Sequence, residues 1–125
     1  ANGDPDCCYI VGSYYESGLY VPKQENKAFL LYLKAADLGH SLAICNVARC
    51  YLNGIGVSLN YDLAWNYIRK ALADEIPAAY GLCGDCYYYG LGVDSDPVKA
   101  FDFYHKAAER GDAEAQYNLA FCYFI

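Results

Sequence analysis

From Pro5 to Ser17 the apolar residues Tyr9, Val11, Tyr14 and Tyr15 fall at helical spacing rather than in strict alternation, which predicts a helix over that stretch. Asp4 followed by Pro5 marks its start, a capping side chain and then proline at the first helical position. A second amphipathic stretch opens after Gln24 and sets Ala28, Phe29, Leu31, Tyr32 and Ala35 on one face. The same face returns after Asn60 as Ala64, Trp65, Tyr67, Ile68 and Ala71, and after Asp96 as Ala100, Phe101, Phe103, Tyr104 and Ala107. No segment alternates as a half-buried strand would. The pattern predicts an all-α chain in which first and second helices alternate.

Glycines punctuate that alternation at a fixed interval. Gly54, Ile55, Gly56 and Val57 recur 36 residues later as Gly90, Leu91, Gly92 and Val93, and 36 residues earlier as Gly18, Leu19, Tyr20 and Val21. Tyr15, Tyr51, Tyr87 and Tyr123 keep the same register, as do Lys34, Lys70 and Lys106. A period of this length means stacked supersecondary units. The units run over about 4–39, 40–75 and 76–111, with a partial one over 112–125, forming a single repeat domain expected to be a fragment of a longer array. Gly12, Ala48, Gly84 and Ala120 share one column and predict a place where two helices approach too closely for a larger side chain. The loop glycines answer a need for positive φ. A phosphate-cradling loop is disfavoured, because no strand precedes them and no Lys-Ser or Lys-Thr pair follows. Tyr20, in the second glycine slot, predicts a different turn or strain, and Glu75 departs from the capping glycines Gly39 and Gly111.

Charge and cysteine content narrow the function. A net charge of -6 over 125 residues opposes the basic footprint that phosphate neutralisation requires, which argues against nucleic acid as a partner. No apolar run approaches the roughly 20 residues of a membrane span. Cys83 and Cys86 stand three apart on a helix, where Cβ atoms are about 5–6 Å apart, wider than the roughly 3.5–4.5 Å of a disulfide. Most of the seven cysteines therefore read as buried thiols, which favours a reducing compartment such as the cytoplasm.

The third unit reads Cys83, Gly84, Tyr87, Gly90, Gly92, Val93, Asp96, Lys99, Ala100, Lys106, Ala107 and Ala108, and resembles the Sel-1-like repeat family, a relative of the tetratricopeptide repeats. The resemblance covers nearly the whole chain. It implies a right-handed α-α superhelix, a solenoid of antiparallel helix pairs with the first helix of each pair lining a concave side. It also implies adaptor work, the binding of a protein or peptide segment, rather than catalysis. Some cysteine-rich relatives are credited with penicillin binding, but Ala36, Leu72 and Ala108 stand where their first bridging cysteine would be, so that activity is not carried over.

Catalytic chemistry finds little support in the residues. Neither His40 nor His105 recurs with nearby carboxylates in the register, so no catalytic residue is assigned, and neither a cofactor nor a metal is expected. The Cys83/Cys86 pair as a zinc or redox site is the weaker alternative, since Cys86 belongs to a core column with Cys50 and Cys122. Within the tetratricopeptide-like register the groove shows Tyr9, Ser13 and Glu16 in the first unit and Arg49, Leu52 and Asn53 in the second. The third adds Asp85, Tyr88 and Tyr89, and the last helix Tyr117, Phe121 and Phe124. Tyrosine supplies contact area and a hydroxyl at small entropic cost, as recognition of a protein segment requires. The other alternative is self-association into a homo-oligomer through open, uncapped ends.

Overall fold

The computed structural model describes residues 4–111, and the last-helix groove residues Tyr117, Phe121 and Phe124 lie outside them. Among the described residues there are six helices and no strands: α1 (Pro5–Ser17), α2 (Glu25–Asp37), α3 (Ser41–Asn53), α4 (Tyr61–Ala73), α5 (Pro77–Tyr89) and α6 (Pro97–Glu109). The helices gather into two compact units, one ending at Lys70 and the other starting at Ala71. In the first, α2 packs against both α1 and α3; in the second, α5 packs against α6. None of these helices is long and apolar enough to cross a membrane.

The start and stop of each helix follow from local chemistry. Asp4 accepts from the Asp6 amide at 2.9 Å, Asn60 from Leu63 at 3.0 Å, and Asp96 from Val98 and Lys99 at 3.1 and 3.2 Å. Gln24 holds the N-cap position of α2 without a side-chain bond, so only two of the three expected caps of the second helices are made. The first helices end on left-handed glycines: Gly18, Gly54 and Gly90 have φ of 77°, 68° and 72°. Each turn is then tied back by one recurring bond. The amides of Gln24, Asn60 and Asp96 donate to the carbonyls of Tyr15, Tyr51 and Tyr87 at 2.9, 3.0 and 2.8 Å. One otherwise unmatched last-turn carbonyl is satisfied in each of the three described repeats, which keeps the two helices of a pair in register.

Among the described residues two that are not glycine, Tyr20 and Glu75, occupy backbone conformations that suit glycine. Tyr20 keeps the turn of its repeat at φ 68°, beside 69° at Gly56 and 74° at Gly92, so the departure there is strain and not a different turn. Its ring lies 81% exposed, edge-on to Tyr14 at 5.1 Å. Glu75 sits at φ 54° where Gly39 and Gly111 have 89° and 92°. A Cβ at either of those glycines would meet nothing within 4 Å, so this column carries a conformational cost and no steric one. Glu75→Gly is expected to stabilise the second unit by about 1 kcal/mol, read as a raised urea midpoint at unchanged slope.

The core is built from the predicted faces. Ala28, Tyr32, Ala35, Ala64, Ile68, Ala71, Ala100, Tyr104 and Ala107 are buried, together with Ile44, Val47, Cys50, Cys83 and Cys86. Leu31, Trp65, Tyr67, Phe101 and Phe103 are half-buried. Two of these rings lie between the helices of a pair: Tyr51 stacks with Tyr67 at 6.1 Å and Tyr87 with Phe103 at 5.5 Å.

Candidate functional site

The small-residue column decides what reaches the surface of the first helices. A Cβ on Gly12 would lie 3.0 Å from two carbons of the Tyr32 ring, and one on Gly84 would lie 2.5 Å from the same two carbons of Tyr104. The bare glycine admits the ring against the helix backbone, and the hydroxyl then emerges beside the acidic residues of the first helix. Tyr32 donates to Glu16 Oε1 at 2.6 Å and to Ser13 Oγ at 3.5 Å, and Tyr104 donates to Asp85 Oδ1 at 2.5 Å. The middle unit has Ala48 and Ile68 in these two columns, a larger residue in the glycine column and a smaller one without a hydroxyl in the tyrosine column.

Arg49, which occupies the column of Ser13 and Asp85, turns to the preceding unit. Its Nη1 and Nη2 donate to Glu16 Oε2 and Oε1 at 2.8 and 2.7 Å, a bidentate pair joining α1 to α3. The Arg49 bond holds the Glu16 carboxyl below its ordinary value near 4.5, against the opposing effect of burial. Burial, then the bond to Glu16, pushes the Tyr32 hydroxyl upward, so it remains a donor. The pair's side chains are 33% and 23% exposed, which moderates its contribution relative to a fully buried pair. A carboxyl with a depressed folded-state value stabilises above its unfolded value, and that contribution is lost as pH falls through the folded one. Glu16→Gln is therefore expected to cost about 1–2 kcal/mol at pH 7. Parallel urea titrations should show the deficit shrinking as pH falls below about 4.5.

The remaining predicted groove residues separate into three groups. Tyr9 is half-buried, its ring 4.6 Å from His40 and 6.0 Å from Tyr32, so it is largely a packing residue. Asn53, Tyr88 and Tyr89 are exposed; the two tyrosine rings meet at 4.9 Å in a T-shape. Leu52 corrects the expectation, because at 4% exposure it lies in the core. Its column holds Glu16 in the first unit, where a tyrosine hydroxyl needs an acceptor; Ile68 makes no such demand, and an aliphatic side chain gains by burial.

Sequence reasoning placed Tyr32 and Tyr104 in the core but missed their hydroxyl contacts. The signal was the paired change of two columns, Gly with Tyr, Ala with Ile, then Gly with Tyr again. It also missed that both histidines meet carboxylates. His40 Nε2 lies 3.1 Å from Asp6, while its Nδ1 accepts the Ala43 amide at 3.1 Å and caps α3; His105 lies 2.9 Å from Glu109. The His40 ring is thus committed to linking α1 with the start of α3. Burial pushes the Cys50 thiol up to about 11 and the Cys86 thiol up to about 12, which keeps both protonated and poorly nucleophilic at neutral pH. Among the described residues no group of three or more His, Cys, Asp or Glu side chains is placed to hold a metal.

Helix pairs that recur every 36 residues, closed by left-handed glycines and by the same loop-to-helix bond, define an α-helical repeat protein. The Sel1 repeat model matches residues 5–40, 41–74, 76–112 and 113–125, and the chain belongs to the Sel1 repeat family. It is 35% identical over 105 residues to Protein SHC1 of Saccharomyces cerevisiae, covering 83% of this chain and 20% of that protein. It is 34% identical over 126 residues to chitin synthase regulatory factor 2 of Schizosaccharomyces pombe, covering 97% of this chain and 25% of that one. The crystal structure of a Sel1 repeat protein from Oxalobacter formigenes superposes with a TM-score of 0.80 at 33% identity, covering 95% of this chain and 49% of that chain. The family's proteins are helical interaction scaffolds, generally without catalytic activity.

Proposed function

We propose that this chain is a non-enzymatic adaptor module that binds a segment of another protein along the exposed surface of its first helices, the concave groove implied by the repeat. The observation that carries this reading is the Tyr88–Tyr89 ridge at the end of α5, two residues 42% and 68% exposed, whereas the other aromatics on the described helices are buried or half-buried. The similarity to chitin synthase regulatory factor 2 supports it, since that protein is named for regulating another protein. Selection of ligands from a displayed random-peptide library tests it. Peptides that bind the chain and are lost with Tyr88→Ala and Tyr89→Ala together, at unchanged far-ultraviolet ellipticity, support the reading; peptides indifferent to that change move the function away from the first helices.

Self-association is the second reading, favoured by one face of α1. Cys7 is exposed and Val11 is 40% exposed, whereas Ala43 and Val47 in the same columns are both 0% exposed. Sedimentation equilibrium over a hundredfold concentration range distinguishes a monomeric adaptor from an associating one.

A further inference from the structure

The described cations are not spread evenly over the helices. Lys27, Lys34, Arg69, Lys70, Lys99 and Lys106 lie on second helices, Lys23 and Arg110 lie in connections, and Arg49 alone lies on a first helix. That arginine is already consumed by Glu16. The one described cation on a first helix is therefore engaged within the protein, while Tyr88 and Tyr89 at the end of α5 stay exposed.

The protein also shows what its tyrosines accept. Lys27 lies over Tyr15 at 5.4 Å, Lys99 over Tyr87 at 5.3 Å and Arg110 over Tyr80 at 4.5 Å. Tyr88 and Tyr89 meet only each other among the described ring contacts, with their outer surfaces open to solvent. Asp85 stands three residues before Tyr88 and so shares its face of α5. The Ser95 hydroxyl donates to the Tyr88 carbonyl at 3.1 Å, which brings the loop carrying exposed Asp94 alongside.

We propose that the Tyr88–Tyr89 ridge of α5, flanked by Asp85 and Asp94, binds a basic segment of a partner protein by seating an arginine or lysine side chain on the tyrosine rings. The inference rests on the adaptor reading above and adds the chemistry of the partner. A guanidinium gains from the ring faces and from the nearby carboxylates together, so arginine binds more tightly than lysine. The net charge of -6 assists the encounter but does not place the ligand.

Fluorescence anisotropy with labelled ten-residue peptides, alternating Arg with Ser, Lys with Ser, or Glu with Ser, is the test. The expected order is Arg above Lys, with no saturable binding of the Glu peptide. Replacing Tyr88 and Tyr89 together by Ala weakens the Arg peptide about tenfold, whereas replacing both by Phe does not. Asp94→Asn weakens it about threefold, and Asp102→Asn on α6 leaves it unchanged, which separates a site from bulk charge. Equal loss from Asp94→Asn and Asp102→Asn, or equal binding of the Arg and Glu peptides, overturns the proposal. Library-selected ligands that depend on the two tyrosines but carry no enrichment in Arg or Lys overturn it too, while leaving the adaptor reading intact. Failure of every peptide, selected or designed, overturns both.

Discussion

Gly56→Ala is expected to lower the stability of the compact unit that ends at Lys70 by about 3 kcal/mol. Two costs coincide there. The residue sits at φ 69°, where a Cβ costs roughly 1–2 kcal/mol. The added carbon would also fall inside the backbone of Glu25 and Asn26 at the start of α2, which cannot rotate aside as a side chain can. Gly54→Ala is the matched control: its φ is 68°, but the nearest atom to a new Cβ is 3.7 Å away, so only the conformational cost applies. Trp65, the single tryptophan, lies in the same compact unit and reports its unfolding by fluorescence in urea. Equal losses for the two variants would mean that the loop does not press on α2.

Gly84→Ala is expected to cost about 2 kcal/mol, through a methyl forced against a ring that is itself 4% exposed. Tyr104→Ile alone should cost about as much, because it leaves a hole beside Gly84 and removes a hydrogen bond from Asp85. Combining them recreates the Ala48 and Ile68 pairing of the middle unit. The double variant should therefore be less destabilised than the sum of the two by about 1–3 kcal/mol in a double-mutant cycle. Additive losses would show that the two columns are not complementary in size.

Helix positions were legible in the sequence because they depend on local chemistry repeated three times. Periodic apolar faces, proline after a capping residue and glycine at positive φ each act within a few residues, so α1 falls where Pro5 and Ser17 mark it. The surface was less legible, since it depends on contacts between helices. Leu52 is buried although its column holds Glu16 and Tyr88 elsewhere, and Glu16 meets Arg49 across 33 residues of chain. Capping too was legible only as a tendency: Gln24 has a longer side chain than Asn60 or Asp96, more freedom to lose, and makes no cap.

Cys50 and Cys86, one in each compact unit, are 0% exposed and carry thiols that burial keeps protonated. An alkylating reagent attacks the thiolate, so neither reacts until its helices part. The cysteine column therefore acts as a built-in clock for local opening. Peptide mass spectrometry during alkylation would time the two units separately, with exposed Cys7 marking the rate of an unprotected thiol.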